Sequence, residues 1–96
     1  MITPPPIKVA LADDHRLFRD GIKRVLTEME NIVVIWDAAN GQDLLMELQQ
    51  LQPDVLLLDI RIPIVDGLSI LPLIRKDFKQ IKVIVLSMDT TPEMII

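Results

Sequence analysis

Four consecutive apolar residues, Val55-Leu56-Leu57-Leu58, run straight into a carboxylate, Asp59, and Pro63 and Gly67 then break the chain before a helical pattern resumes. A short unbroken apolar run bounded by turn residues predicts a strand buried on both faces, the habit of central strands in parallel sheets. Such a strand cannot stand alone. It needs neighbours on either side and helices above and below, which restricts the chain to an α/β sheet. Asp59 falls where the strand leaves that sheet, the end at which open parallel sheets collect their chemistry.

The remaining segments supply the partners. Ile7-Lys8-Val9-Ala10-Leu11-Ala12 is a short strand stopped by Asp13-Asp14-His15, after the stiff extended leader Pro4-Pro5-Pro6. Phe18, Ile22, Val25, Leu26 and Met29 then form one amphipathic helical face, which Asn31 ends. Ile32–Trp36 is a β-branched second strand, Ala38-Ala39-Asn40-Gly41 a turn, and Leu44, Leu45, Leu48 and Leu51 a second helical stripe closed by Pro53. Leu71, Ile74 and Phe78 mark a third helix from about Ser69 to Phe78, begun late so that Pro72 falls in its first turn. Lys82–Ser87 is a fourth strand, and Thr90-Thr91-Pro92-Glu93 starts another helix. Alternating strands and helices predict parallel strands joined by right-handed crossovers, with helices on both faces of a single domain.

Composition narrows the function classes. Ten Lys and Arg against 14 Asp and Glu give a net charge of −4. Without a basic stripe, this segment is not expected to bind nucleic acid directly. No cysteine is present, so there is neither a disulfide framework nor a thiolate metal site, which fits a reducing cytoplasm. The N-terminus lacks the pattern of a signal peptide, and no apolar run approaches the roughly 20 residues that cross a bilayer.

Parallel topology puts the ends of the first, third and fourth strands on one edge, gathering Asp13, Asp14, Asp59 and Ser87. Strands about 4.8 Å apart bring these carboxylates within reach of one ion. The remedy for their repulsion is a hard, oxygen-preferring divalent cation such as Mg2+. Ser87 offers a hydroxyl to an anion bound there. Taken singly, Asp13 or Asp14 reads first as a helix N-cap, Ser87 as a turn residue, and His15 as a solvated or structural residue on a first helical turn. Their joint arrangement is the rarer coincidence.

These residues are similar to those of the receiver domain of bacterial two-component response regulators. The resemblance runs from Ile7 onward, through Val9-Ala10-Leu11-Ala12-Asp13-Asp14, Ala39-Asn40-Gly41, the Asp59-x-x-x-Pro63-x-x-x-Gly67 block and Ser87. Ala12 through Gly21 looks like the branch that precedes a helix-turn-helix DNA-binding domain. The resemblance implies a flavodoxin-like parallel sheet and a regulatory phosphoacceptor, with no enzyme activity beyond self-phosphorylation and autodephosphorylation. It implies Asp59 as acceptor from a sensor histidine kinase, and Mg2+ held by Asp14, Asp59, Asp13 through water, and the backbone carbonyl of Arg61. Ser87 would bond the phosphoryl group. The family's fifth strand, with its phosphoryl-contacting lysine, has no counterpart in the 96 residues. Lys82 does not replace that lysine, since it starts strand four roughly 16 Å from Ser87. Residues 7–96 are therefore expected to be the N-terminal four-fifths of a receiver, with an output domain beyond Ile96 and strand four as an open edge covered by a second copy. The alternatives are a small Mg2+-dependent phosphotransferase or phosphatase, and a pseudo-receiver whose acidic edge serves only as helix caps.

Overall fold

The computed structural model describes residues 4–86. Within them the order is β1 (Ile7–Ala12), α1 (Arg16–Thr27), β2 (Ile32–Ala38), α2 (Gly41–Gln50), β3 (Val55–Asp59), α3 (Gly67–Asp77) and β4 (Lys82–Leu86). All pairings are parallel and the sheet order is β2-β1-β3-β4, so the apolar β3 lies inside the sheet as expected. Ser87 and the helix start at Thr90–Glu93 lie outside the described residues.

The two faces of the sheet are covered unequally. Ala10, Ala12, Trp36, Ala38, Leu56 and Leu58 share one face and form a continuous core with Leu44 and Leu48 of α2 and Ile70 and Ile74 of α3. A register shift makes this possible: Val9 pairs with Val34 but Ala10 with Trp36, leaving Ile35 as the extra residue of a bulge. The bulge turns Trp36 inward, where its Nε1 donates to the Leu51 carbonyl at 2.8 Å. On the other face α1 is the only covering helix among the described residues, and none of its residues is fully buried. Ile84 on β4, in line with Leu57, remains 52% exposed.

Three local expectations differ from the structure. The first helix ends at Thr27, so Met29 is exposed outside it, and Asn31 is the left-handed residue (φ 66°) that turns the chain into β2. Asn tolerates that conformation better than other residues with a Cβ, which is why it sits at the turn rather than at a helix end. The third helix starts two residues early, because the Asp66 carboxylate accepts from Ser69 N and nucleates the turn at Gly67. Pro72 therefore lies at the helix's sixth position, in its interior and not its first turn. Finally, β2 extends through Ala38, two residues beyond its β-branched run, because Leu11 and Ala12 of β1 still offer partners.

Candidate functional site

Each acidic residue arrives at the site by the end of a strand. Asp13 follows β1, its N–H held by the Ala38 carbonyl at 3.0 Å. Its carbonyl accepts from Arg19 Nη1 at 2.8 Å, and the Arg19 Nε donates to Asp37 Oδ2 at 3.0 Å. Lys23 reaches the same Asp37 oxygen at 3.3 Å. The backbone of Asp13 is thus fixed on both sides, by β2 and by the first turns of α1. Its Oδ1 accepts from the backbone N–H of His15 at 2.7 Å.

Asp59 ends β3 with its Oδ1 accepting from Arg61 N at 2.9 Å. The loop beyond it is tightly built. Gly67 N donates to the Ile60 carbonyl and Gly41 N to the Pro63 carbonyl, both at 3.0 Å. Neither glycine can carry a side chain: a Cβ on Gly41 would sit 2.0 Å from the Val65 carbonyl oxygen, and one on Gly67 2.6 Å from the Ile60 Cα. Between these points Val65 N bonds back to the Pro63 carbonyl at 2.9 Å. That closes a γ-turn about Ile64, whose φ of 73° is costly for a β-branched residue.

The expected carboxylates do converge. Donor atoms of Asp13, Asp14, His15 and Asp59 all lie within 4.8 Å of one another. Asp13 and Asp59 are 0% and 1% exposed, while Asp14 and His15 line the open side. Among the described residues, Asp13 Oδ2 and Asp59 Oδ2 are buried side-chain oxygens without a hydrogen-bond partner. Leaving a buried acceptor unsatisfied is costly, so two such oxygens on residues of one cluster mark a place built for something else to fill. Oxygen donors of this kind suit a hard divalent cation.

Electrostatics agree. Burial pushes the Asp59 carboxyl above its usual range; the Arg61 N–H opposes this, and the charges of Asp13 and Asp14 push it further up. His15 is shifted upward as well, first by its hydrogen bond to Asp13 and then by the charge of Asp14.

The structure brings Asp13, Asp14 and Asp59 together, and Arg61 contributes its N–H to Asp59. Neither aspartate caps α1: the N-cap is His15, with no side-chain cap bond. Lys82 pairs with Val55 at the far end of β3, whereas Leu86 pairs with Asp59, so Lys82 is remote from the site. Two participants escape sequence reasoning. His15, read as solvated or structural, places Nδ1 at 2.9 Å from Asp13 Oδ1 and 3.0 Å from Asp14 Oδ1. Arg19, assigned no role of its own from the sequence, is the strut behind Asp13. Its position one turn after His15, on the side of α1 that meets β2, was the available signal.

The comparisons with known proteins fit this geometry. The family model described as the response regulator receiver domain matches residues 9–96. The response regulator protein VraR of Staphylococcus epidermidis is 38% identical over 81 residues, covering 84% of this chain and 39% of VraR. The chain thus spans about two-fifths of the length of the curated relatives it matches. The signal receiver domain of NarL from Mycobacterium tuberculosis superposes with a TM-score of 0.85 at 32% identity, covering 94% of this chain and 73% of that one. The RcsB response regulator of Salmonella typhimurium, studied for its DNA interaction, gives 0.85 at 28% identity over 94% of this chain and 46% of RcsB.

Proposed function

This chain belongs to the response regulator receiver domain family, and on that premise we propose that Asp59 is the phosphoacceptor of a two-component phosphorelay. The observation that carries the reading is the pair of buried, unpartnered oxygens, Asp13 Oδ2 and Asp59 Oδ2, on two members of one carboxylate cluster at the strand ends. Retention of the acidic edge as helix caps is disfavoured by the same pocket, since α1 takes no carboxylate cap.

Asp59 is suited to the role by its surroundings. Arg61 N fixes Oδ1, which sets the plane of the carboxylate and leaves Oδ2 with its lone pairs available. In the transfer, a carboxylate oxygen of Asp59 forms a bond to phosphorus as the P–N bond of a donor phosphohistidine breaks, and the departing imidazole takes up a proton. Asp14 and Asp59, Asp13 through water, and the Arg61 carbonyl would hold Mg2+. When bound, that ion offsets negative charge on the phosphoryl oxygens. Ser87, outside the described residues, would donate to the phosphoryl group. The product is a changed surface rather than a released compound, and it acts by shifting populations.

The donor would be a sensor histidine kinase in the cytoplasm, and the output a DNA-binding domain linked beyond Ile96 that regulates transcription. Among the described residues β4 is paired on one side only, and the half-exposed Ile84 lies beside that open edge. Such an edge supports a homodimer in which a second copy covers β4. Sedimentation as a monomer at micromolar concentration would contradict the dimer.

The phosphoacceptor assignment is tested by incubating the protein with a small phosphodonor and Mg2+ and weighing it intact. One phosphate should be added to the wild type and none to Asp59→Asn; labelling that survives the substitution refutes the assignment.

A further inference from the structure

Asp37 is an odd residue for its place. It lies in β2 between Trp36 and Ala38, which face the core shared with α2 and α3, so its own side chain points to the opposite face, toward α1. Aspartate is among the residues that strands use least. Its ion pair with Arg19 spans 3.0 Å between side chains 27% and 14% exposed, a setting in which such pairs add little net stability. What the pair does fix is the guanidinium. With Nε on Asp37 Oδ2, the planar fork directs Nη1 to the Asp13 carbonyl at 2.8 Å. The next residue, Ala38, takes the other backbone group of Asp13, accepting from its N–H at 3.0 Å. The last two residues of β2 thus hold both polar backbone groups of Asp13, one directly and one through Arg19.

We propose that Asp37 is a positioning residue for the phosphorelay reaction, holding the Asp13 carboxylate in place beside Asp59 through the Arg19 bridge. The inference rests on Asp59 being an Mg2+-dependent phosphoacceptor. Asp13 is fully buried, its Oδ1 accepts from the His15 N–H, and its Oδ2 has no partner. Because Oδ1 is tied to the backbone two residues on, the aim of the free oxygen follows the backbone around Asp13. A change in the hold on the Asp13 carbonyl is therefore felt at the carboxylate. Groups that orient metal-binding side chains from behind commonly matter by about 10- to 100-fold in metal affinity. Lys23, 3.3 Å from the same Asp37 oxygen and 3.6 Å from Asp20, supplies Asp37 with a second cation and is not in the bridge to Asp13.

Asparagine separates position from charge, because its amide oxygen still accepts from Arg19 Nε while the negative charge is gone. Wild type, Asp37→Asn, Asp37→Ala, Arg19→Ala and the double variant Asp37→Ala/Arg19→Ala are titrated with Mg2+ by calorimetry. Asp37→Ala should bind Mg2+ about tenfold more weakly, Asp37→Asn should stay within about threefold of wild type, and the double variant should be no weaker than Arg19→Ala. With a small phosphodonor, Asp37→Ala should need about tenfold more Mg2+ for half-maximal labelling yet reach the wild-type rate within about twofold at saturation. Metal-free protein in EDTA gives an independent readout: the Asp13 amide should exchange its hydrogen at least about tenfold faster in Asp37→Ala, while the β3 amides change by less than about twofold. Equal losses of affinity in Asp37→Asn and Asp37→Ala would make Asp37 a source of charge alone and overturn the proposal, as would unchanged exchange at Asp13. Failure of the wild type to bind Mg2+ would count against the phosphoacceptor reading, and the exchange rates in EDTA would still decide the bridge.

Discussion

Asp59→Asn should stabilise the metal-free protein while removing its response to Mg2+. Asp59 and Asp13 are both buried and their donor atoms lie within 4.8 Å. At an effective dielectric constant of about 20, two charges at that separation repel by about 3.5 kcal/mol. Protonating Asp59 at pH 7 against its reference pKa of 3.8 costs about 4 kcal/mol, which caps what the fold can lose through this charge. His15 offsets part of the repulsion. Asparagine keeps an oxygen for the Arg61 N–H and brings an amide donor toward the unpartnered Asp13 Oδ2. The expected net gain is about 1–3 kcal/mol in urea denaturation with EDTA present, at unchanged m-value. Adding Mg2+ to ten times its Kd should raise wild-type stability by about 1.4 kcal/mol and the variant's by much less.

The same substitution fixes a sign in pH. With its folded pKa raised above 3.8, Asp59 takes up a proton in the folded state before the unfolded one as pH falls. Its contribution to metal-free stability therefore improves as pH drops through the folded pKa, and is complete below 3.8. Asp59→Asn should flatten that part of the profile. Equal or lower stability of the variant in EDTA would refute the account of the pocket as a store of unrelieved charge.

Further predictions concern residues away from the carboxylates. Arg19→Ala should weaken Mg2+ binding by about tenfold by calorimetry, with far-UV circular dichroism retained, because it releases the Asp13 carbonyl from its strut to Asp37. A change of less than twofold would show the strut to be idle. Pro72→Ala should stabilise the protein by about 1–3 kcal/mol in urea denaturation, since Pro72 is exposed and occupies a helix interior. Ile64→Gly should raise stability by up to about 1 kcal/mol: relief of the positive φ exceeds glycine's entropic cost, and the exposed side chain loses little packing. A fall in melting temperature would mean that the Ile64 side chain contributes more than its exposure suggests.

The sequence reveals the frame because the frame rests on periodic patterns. Val55–Leu58 marks an interior strand, and the leucine stripe of α2 buries Leu44 and Leu48 as its spacing requires. Convergence of Asp13, Asp14 and Asp59 follows from parallel topology alone. What escapes is decided by single hydrogen bonds. The start of α3 depends on the Asp66 cap rather than on apolar spacing, and so Pro72 was displaced from the helix's first turn. The bulge at Ile35 leaves no mark in a β-branched run. His15 and Arg19 carry no periodic signal; only the backbone conformation at the α1 start aims one at the carboxylates and the other at the carbonyl behind them.

Gly41 and Gly67 bear on motion as well as on packing. Each holds a segment of the loop after Asp59 at a separation no side chain would permit, one against Val65 and the other against Ile60. The loop is thereby fastened to two different helix starts, so it moves only if α2 and α3 move with it. This makes one bank of the pocket a fixed jaw. On the side of β3 away from Asp13 and Asp14 lies β4, whose Leu86 pairs with Asp59 and which has no such glycine fastening among the described residues. Whatever rearrangement a charge on Asp59 sets in motion should therefore travel outward through β4, leaving the acceptor itself where the glycines hold it.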